Sequence, residues 1–116
     1  MEPVFVRADV KVSSDVGKVA VMRGPLVYCL EERDNGNNLA ALFADTEKGL
    51  WEEQSDEFGG IIAVRFQGKR MVNRSRHLYE IYEPQYETRE IRAIPYAYWN
   101  NRGVGEMAVW VKAIIK

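Results

Sequence analysis

The sequence contains only one cysteine and one histidine among its 116 residues. A single cysteine cannot form a disulfide within the chain, and one Cys with one His cannot complete a structural zinc site. No apolar run approaches the roughly 18 residues of a membrane-spanning helix. The formal net charge is −1, which gives no reason to expect nucleic acid or an acidic membrane as a partner. Disulfide scaffolds, self-contained zinc domains and membrane spans are therefore excluded.

The common catalytic motifs are also missing: there is no nucleophile elbow, no phosphate-binding loop and no His-Glu-x-x-His pair. Only His77 is available as an imidazole base, and its position favours a solvated or hydrogen-bonded surface histidine. The acids of 31–57 offer carboxylates for glycoside hydrolysis, but no motif fixes their separation. Cys29 lies within a continuous apolar run, so we expect it to be a buried small hydrophobe and not a nucleophile.

Residues that favour strands dominate the composition. Thirteen valines and seven isoleucines outnumber six leucines and four methionines, and β-branched side chains suit a pleated surface. Turn residues separate short segments that are apolar or alternate between apolar and polar. These segments are 4–12, 17–23, 26–30, 61–66, 78–82, 90–99 and 106–112. The pattern predicts an all-β fold, an antiparallel, jelly-roll-like β-sandwich of about seven or more strands with at most one short helix.

Polar residues and glycines mark the predicted connections. Residues 44–60 are predicted to form a long loop, 67–70 a turn and 84–89 a second loop, whereas 39–43 fits either a short helix or a strand. Charge is uneven along these segments. Residues 31–60 hold nine acids and two bases, while 61–82 hold five bases and one acid. This asymmetry fits either two binding faces of opposite charge or one charged loop beside a solvated hairpin.

An aromatic cluster near the C-terminus is the main candidate site. It comprises Tyr96, Tyr98 and Trp99, followed by Asn100 and Arg102. Aromatic rings stack on sugar faces while Asn and Arg bind hydroxyl groups, so a carbohydrate platform is one interpretation. Tyr, Trp and Arg also dominate protein interfaces, and core packing by a terminal hairpin is the third interpretation.

The flanks of this cluster give it a predicted orientation. Ile94 and Met107 lie on the apolar phase of their segments and should face the core. Tyr98, Trp99 and Arg102 flank a tight Asn-Asn-Arg-Gly turn, so we expect them to project together from one end of the fold.

Three stretches carry a resemblance to a known family: 17–31 (GKVAVMRGPLVYCLE), 39–42 (LAAL) and 94–107 (IPYAYWNNRGVGEM). Together they resemble the C-terminal region of β-L-arabinofuranosidase-type glycoside hydrolases, glycoside hydrolase family 127 and its uncharacterised relatives. The first and last stretches are the specific ones, and they bracket most of the chain. Val104 departs from the family pattern, where proline is common, and this affects only the rigidity of the turn.

The resemblance implies that catalysis belongs elsewhere. In that family an N-terminal (α/α)₆ barrel carries a cysteine nucleophile, a glutamate and a zinc ion bound by further cysteines and a glutamate. Nothing in this chain corresponds to the barrel, and Cys29 matches none of its positions. We therefore expect residues 1–116 to be a single C-terminal β-sandwich domain excised from a larger bacterial enzyme. It should be inactive alone and hold no cofactor.

The resemblance also implies the partner. The domain is expected to pack on the remainder of the parent enzyme, or at a homodimer contact, and so support the catalytic barrel. The alternative is a carbohydrate-binding module for arabinose-containing or related glycans. In either case Tyr96, Tyr98, Trp99, Asn100 and Arg102 are the candidate contact residues.

Overall fold

The computed structural model describes residues 1–7, 17–72, 85–99, 101, 103 and 105–114. Strands dominate this part of the chain: β1 (Pro3–Arg7), β2 (Lys18–Arg23), β3 (Leu26–Glu31), β4 (Leu42–Ala44), β5 (Leu50–Ser55), β6 (Ile61–Val72), β7 (Gln85–Pro95), β8 (Met107–Ala108) and β9 (Val111–Ala113). Helix in the described residues is limited to α1 (Glu32–Asn35) and the 3₁₀ turns Leu39–Ala41, Glu57–Gly59 and Tyr96–Tyr98. The prediction of a strand-dominated fold with little helix is confirmed. The predicted strand 78–82 lies outside the described residues, as does 8–12.

Among the described residues, nine strands form one hydrogen-bonded sheet in the order β1-β2-β9-β4-β6-β7-β3-β8, with β5 paired to β6. β3 also pairs with β2 through two residue pairs at the Gly24-Pro25 turn. The prediction of a purely antiparallel fold is wrong, because β4 and β9 run parallel. Parallel neighbours need a long crossover, which residues 45–110 supply, and the alternation within a strand does not report the direction of its neighbour. The two-sheet sandwich and its jelly-roll form stay predictions.

The long strand β6 contributes to two apolar clusters because its side chains alternate between faces. Phe66 and Val64 lie in the larger cluster, with the following buried residues around them: Val19, Val21, Tyr28, Leu30, Leu39, Leu42, Ala44, Ile91, Ala93 and Val111. Ala63 and Ile61 lie in a smaller cluster with Cys29 and Ile94. The predicted burial of Cys29 and Ile94 is confirmed, and Met107 packs against the same cluster.

Three predicted connections are strands in the structure. β5 lies inside the predicted loop 44–60, β6 runs through the predicted turn 67–70, and β7 begins inside the predicted loop 84–89. None of the six residues of β5 is buried, so the strand needs no apolar stripe that would mark it in the sequence. Residues 39–43 were expected to form either a short helix or a strand, and they contain both. A 3₁₀ turn over Leu39–Ala41 leads directly into β4.

Candidate functional site

The aromatic turn, residues 96–99, begins where β7 ends. Ile94 and Pro95 are buried, and Pro95 lies opposite Tyr28 at the last pairing of β7 with β3. A proline has no backbone N–H to donate, so the ladder stops naturally at this position. The chain then forms a 3₁₀ turn, closed by a 3.1 Å hydrogen bond from the Trp99 amide to the Tyr96 carbonyl. A buried strand end thus holds the turn in place.

Two rings of the aromatic turn face solvent together. Tyr96 is 43% exposed and Trp99 is 40% exposed. Their ring centroids lie 6.5 Å apart, and the ring planes are inclined by 32°. Side chains at positions i and i+3 of a 3₁₀ turn lie one above the other, which explains why this pair shares a face. Tyr96 and Trp99 thus form an exposed aromatic pair on this turn.

Tyr98 points differently from its neighbours. Its ring stacks on Phe58 with centroids 4.9 Å apart and planes inclined by 13°. It packs against the smaller apolar cluster and is only partly exposed. Tyr98 therefore does not project alongside Trp99 as expected, because the turn directs it towards the core. Asn100 and Arg102 lie outside the described residues.

Sequence reasoning missed a buried ionic cluster centred on Arg92. This residue is 8% exposed, lies on β7 and binds carboxylates from three separate elements. Arg92 Nη1 donates to Asp34 Oδ1 of α1 at 3.0 Å, and its Nε donates to Glu53 Oε1 of β5 at 3.0 Å. Its Nη2 donates to Glu57 of the 3₁₀ turn. The guanidinium therefore ties three surface segments to one strand.

Arg65 extends this ionic cluster along the sheet. It lies directly opposite Arg92 in the β6–β7 ladder. Arg65 Nε donates to Glu53, and its Nη1 donates to Glu90 Oε1 at 2.9 Å. The two arginines avoid repulsion because they share the carboxylate of Glu53 between them. The acidic segment is thus neutralised in part by the chain's own arginines, which favours the structural interpretation of the charge asymmetry.

The charges of the cluster fix its protonation state. The hydrogen bond from Arg65 is the largest influence on Glu53 and, aided by Arg92, holds the pKa of that carboxyl below its usual value against the effect of burial. Burial lowers the pKa of Arg92, but the hydrogen bonds to Glu57 and Glu53 outweigh it and raise the pKa above the ordinary value. A general acid needs a raised carboxyl pKa. Glu53 is shifted in the opposite direction, so it is suited to holding an arginine.

The residues described do not fit a metal or nucleophile site. Within residues 1–7, 17–72, 85–99, 101, 103 and 105–114, no three His, Cys, Asp or Glu side chains come together in a metal-binding group. Cys29 is 1% exposed within the smaller apolar cluster. His77 lies outside the described residues. No helix in the described part of the chain has the length and apolarity to cross a membrane.

Known proteins match this chain over nearly all its length. The family model of the glycoside hydrolase family 127 C-terminal domain matches residues 3–112. The chain is 40% identical to the non-reducing end β-L-arabinofuranosidase of Bifidobacterium longum, in a match covering 91% of this chain and 17% of that protein.

Solved structures give the same relation. A family 127 β-L-arabinofuranosidase from Geobacillus stearothermophilus T6 superposes with a TM-score of 0.92 at 40% identity, covering 98% of this chain and 18% of that one. A second family 127 β-arabinofuranosidase gives a TM-score of 0.81 at 31% identity, covering 97% and 17%. The chain therefore spans less than a fifth of these relatives.

Proposed function

The chain belongs to the C-terminal domain family of glycoside hydrolase family 127, and we propose that it is a non-catalytic domain that supports the parent enzyme by packing against it. The exposed aromatic pair Tyr96 and Trp99 carries this proposal. Tyrosine and tryptophan are enriched where proteins bind one another, because each buries a large rigid surface at little entropic cost. The relatives that this chain matches have more than four fifths of their length outside the match.

The framework behind the pair supports the same proposal. The aromatic turn follows a buried strand end, and Tyr98 fixes the middle of the turn by stacking on Phe58. An interface anchor needs such support, because ordering a mobile side chain on binding costs about 0.5–1.5 kcal/mol. Tyr96 and Trp99 are therefore presented in a preorganised position.

The chemistry of the parent is proposed to lie outside this chain. The family's zinc needs thiolate and carboxylate ligands grouped together, and the lone Cys29 is enclosed by apolar residues. The residues described here do not fit such a site. Arg92 accounts for the nearby acids, because it donates hydrogen bonds to Glu53, Glu57 and Asp34. We therefore assign these acids a structural role.

The isolated chain is expected to release no sugar from aryl β-L-arabinofuranosides and to retain no stoichiometric zinc after purification. The reason is that neither a nucleophile nor a metal-ligand set is assembled in the described residues. The assay is chromogenic release together with metal analysis, with a complete family 127 enzyme as positive control. Turnover by this chain that disappears in His77→Ala would contradict the proposal.

Trp99→Ala is expected to act mainly in the parent protein. In the isolated chain the substitution should change the free energy of unfolding by less than about 1 kcal/mol, because Trp99 is 40% exposed and lies outside both apolar clusters. In the parent protein the same substitution should lower the free energy of unfolding by about 2 kcal/mol more than in the isolated chain. That difference is the scale of an interface hot spot. Urea unfolding of both proteins measures the difference.

Trp51→Ala provides the matched control for this experiment. Trp51 is 39% exposed but lies on β5, away from the aromatic turn. Equal losses for the two tryptophan variants in the parent would contradict a specific role for Trp99. A loss of about 3–5 kcal/mol in the isolated chain would instead show that Trp99 is a packing residue.

Carbohydrate recognition by the same pair is the second candidate, favoured by two exposed rings inclined at 32° to each other. If the pair binds sugar, arabino-oligosaccharides should change the tryptophan fluorescence of the isolated chain, and Trp99→Ala should abolish the change. If the pair meets the rest of the parent or a second copy of the chain, the sugars should leave the fluorescence unchanged.

A further inference from the structure

A row of basic side chains crosses the sheet far from the aromatic turn. The ladder places Lys18 opposite Lys112, Lys112 beside Phe43, Phe43 opposite Lys69 and Lys69 opposite Thr88. Residues directly opposite in a ladder share one face of the sheet. This basic row thus spans β2, β9, β4, β6 and β7 with no acidic residue among its members.

The basic row opposes the usual preference for cross-strand pairs. Like charges directly opposite each other destabilise a sheet, and Lys18 faces Lys112 in this way. Within the described part of the chain, Lys69 and Lys112 form no salt bridge to a carboxylate. Local violations of folding preferences concentrate at functional sites. The row is therefore a candidate for binding an anion.

A groove with aromatic walls lies beside the Phe43 and Lys69 part of this row. Its volume is about 280 Å³, and its lining includes Phe43, Lys69, Tyr86, Ala113 and Ile114. The rings of Phe43 and Tyr86 meet edge to face with centroids 5.6 Å apart. Lys112 Nζ lies 5.5 Å from the centroid of the Phe43 ring, so Phe43 already has a cation on one face. Tyr86 is 44% exposed and remains accessible for stacking.

We propose that this groove binds a hexuronate, the carboxylate-bearing class of sugar. The C–H face of the sugar ring would stack on Tyr86, and its carboxylate would accept hydrogen bonds from the ammonium group of Lys69. Lys112, on the other side of Phe43 in the ladder, adds positive charge nearby. Lysine is only a donor, so the ligand must supply the acceptors. A neutral sugar offers hydroxyl groups, whereas a carboxylate forms the stronger charge-assisted bond.

The groove is independent of the interdomain packing proposed above. Tyr86 is the second residue of β7, and Tyr96 directly follows its last residue. At about 3.3 Å per residue the two aromatic sites lie roughly 30 Å apart along the strand. A substitution at one site therefore leaves the other intact, and each proposal can fail alone.

Isothermal titration of the chain with digalacturonate tests the hexuronate site, with the neutral digalactoside of the same linkage as the matched ligand. We expect digalacturonate to bind at least about tenfold more tightly than the digalactoside, a difference equivalent to about 1.4 kcal/mol. Its affinity should fall as salt rises, because the contact is ionic and exposed. Tyr86→Ala and Lys69→Gln should each weaken binding about tenfold.

The control variant is Lys48→Gln, which removes an exposed lysine from the turn between β4 and β5. It should leave the affinity unchanged, and circular dichroism should confirm that all variants are folded. Equal affinity for both sugars, no measurable binding, or binding unaffected by Tyr86→Ala and Lys69→Gln would each overturn the proposal. Tight binding of hexaglutamate without binding of digalacturonate would likewise overturn it and identify the groove as a peptide site.

Discussion

Replacing Arg92 with leucine is expected to lower the free energy of unfolding by about 3–5 kcal/mol at neutral pH. The guanidinium of Arg92 is nearly buried and bonds to Asp34, Glu53 and Glu57. Leucine would fill part of the volume but leave these carboxylates close together without their shared cation. Urea unfolding at pH 7 measures the loss.

The dependence of this loss on pH identifies its cause. The pKa of Glu53 is lower in the folded chain than its usual value, chiefly through Arg65 and then through Arg92. Such a carboxyl contributes stability above its unfolded pKa, and that contribution disappears as pH falls through the folded pKa. Protonation would also relieve the repulsion left in Arg92→Leu. The difference between the two proteins should therefore shrink below about pH 4.

Arg89→Leu is the control for Arg92→Leu. Arg89 lies on the same strand and pairs with Glu87 at 3.1 Å, but both side chains are substantially exposed. Exposed pairs are worth about 0–1 kcal/mol, so this variant should lose little stability. Similar losses for Arg89→Leu and Arg92→Leu, or a loss in Arg92→Leu that does not change with pH, would contradict a role for the buried cation.

The ion pairs of the Arg92 cluster could not be predicted from any local pattern in the sequence. Asp34, Glu53 and Glu57 are 58, 39 and 35 residues from Arg92 along the chain. No local pattern links these positions, because the sheet brings them together only after folding. The charge asymmetry was the available signal, and its structural interpretation did not identify which bases bind the acids. The structure shows Asp34, Glu53 and Glu57 bound to Arg92 of β7.

Strand prediction succeeded where turn residues in the sequence mark the end of a strand. The predicted strands 17–23 and 26–30 closely match β2 and β3, which are bounded by glycine and proline at 24 and 25. The predicted strand 106–112 is two short strands instead. β8 pairs with β3, whereas β9 pairs with β2 and β4, so the chain changes partners within an alternating segment. Alternation reports the face of a side chain and not its neighbouring strand.

The candidate site was predictable in composition but not in orientation. The sequence identified Tyr96, Tyr98 and Trp99 as one cluster, and the structure places them in one turn. Its 3₁₀ geometry pairs Tyr96 with Trp99 and sends Tyr98 to the core. This arrangement depends on the buried strand end at Pro95, which is a tertiary feature.

Gly68→Ala is expected to cost about 3 kcal/mol or more, at the upper end of the range for overpacked cores. Gly68 is buried in β6 opposite Ala44 of β4. An added Cβ would lie 2.3 Å from the backbone carbonyl oxygen of Phe43 and 2.5 Å from Ile91 Cδ1. The side chain of Ile91 can move, but the carbonyl belongs to a paired strand. The glycine that resembles a turn residue in the sequence is therefore required for close packing of two strands.

A second substitution separates these two contacts. Ile91→Val removes Cδ1, so the Gly68→Ala/Ile91→Val protein should recover only part of the stability lost in Gly68→Ala. The contact with the Phe43 carbonyl remains and must displace β4. Gly105→Ala is the control, because the three heavy atoms nearest its added Cβ all belong to the side chain of Glu32, at 3.3 Å or more. It should cost less than about 1 kcal/mol. Full recovery in the double variant would show that Ile91 alone requires the glycine, and the close approach of β4 would then not be the reason for it.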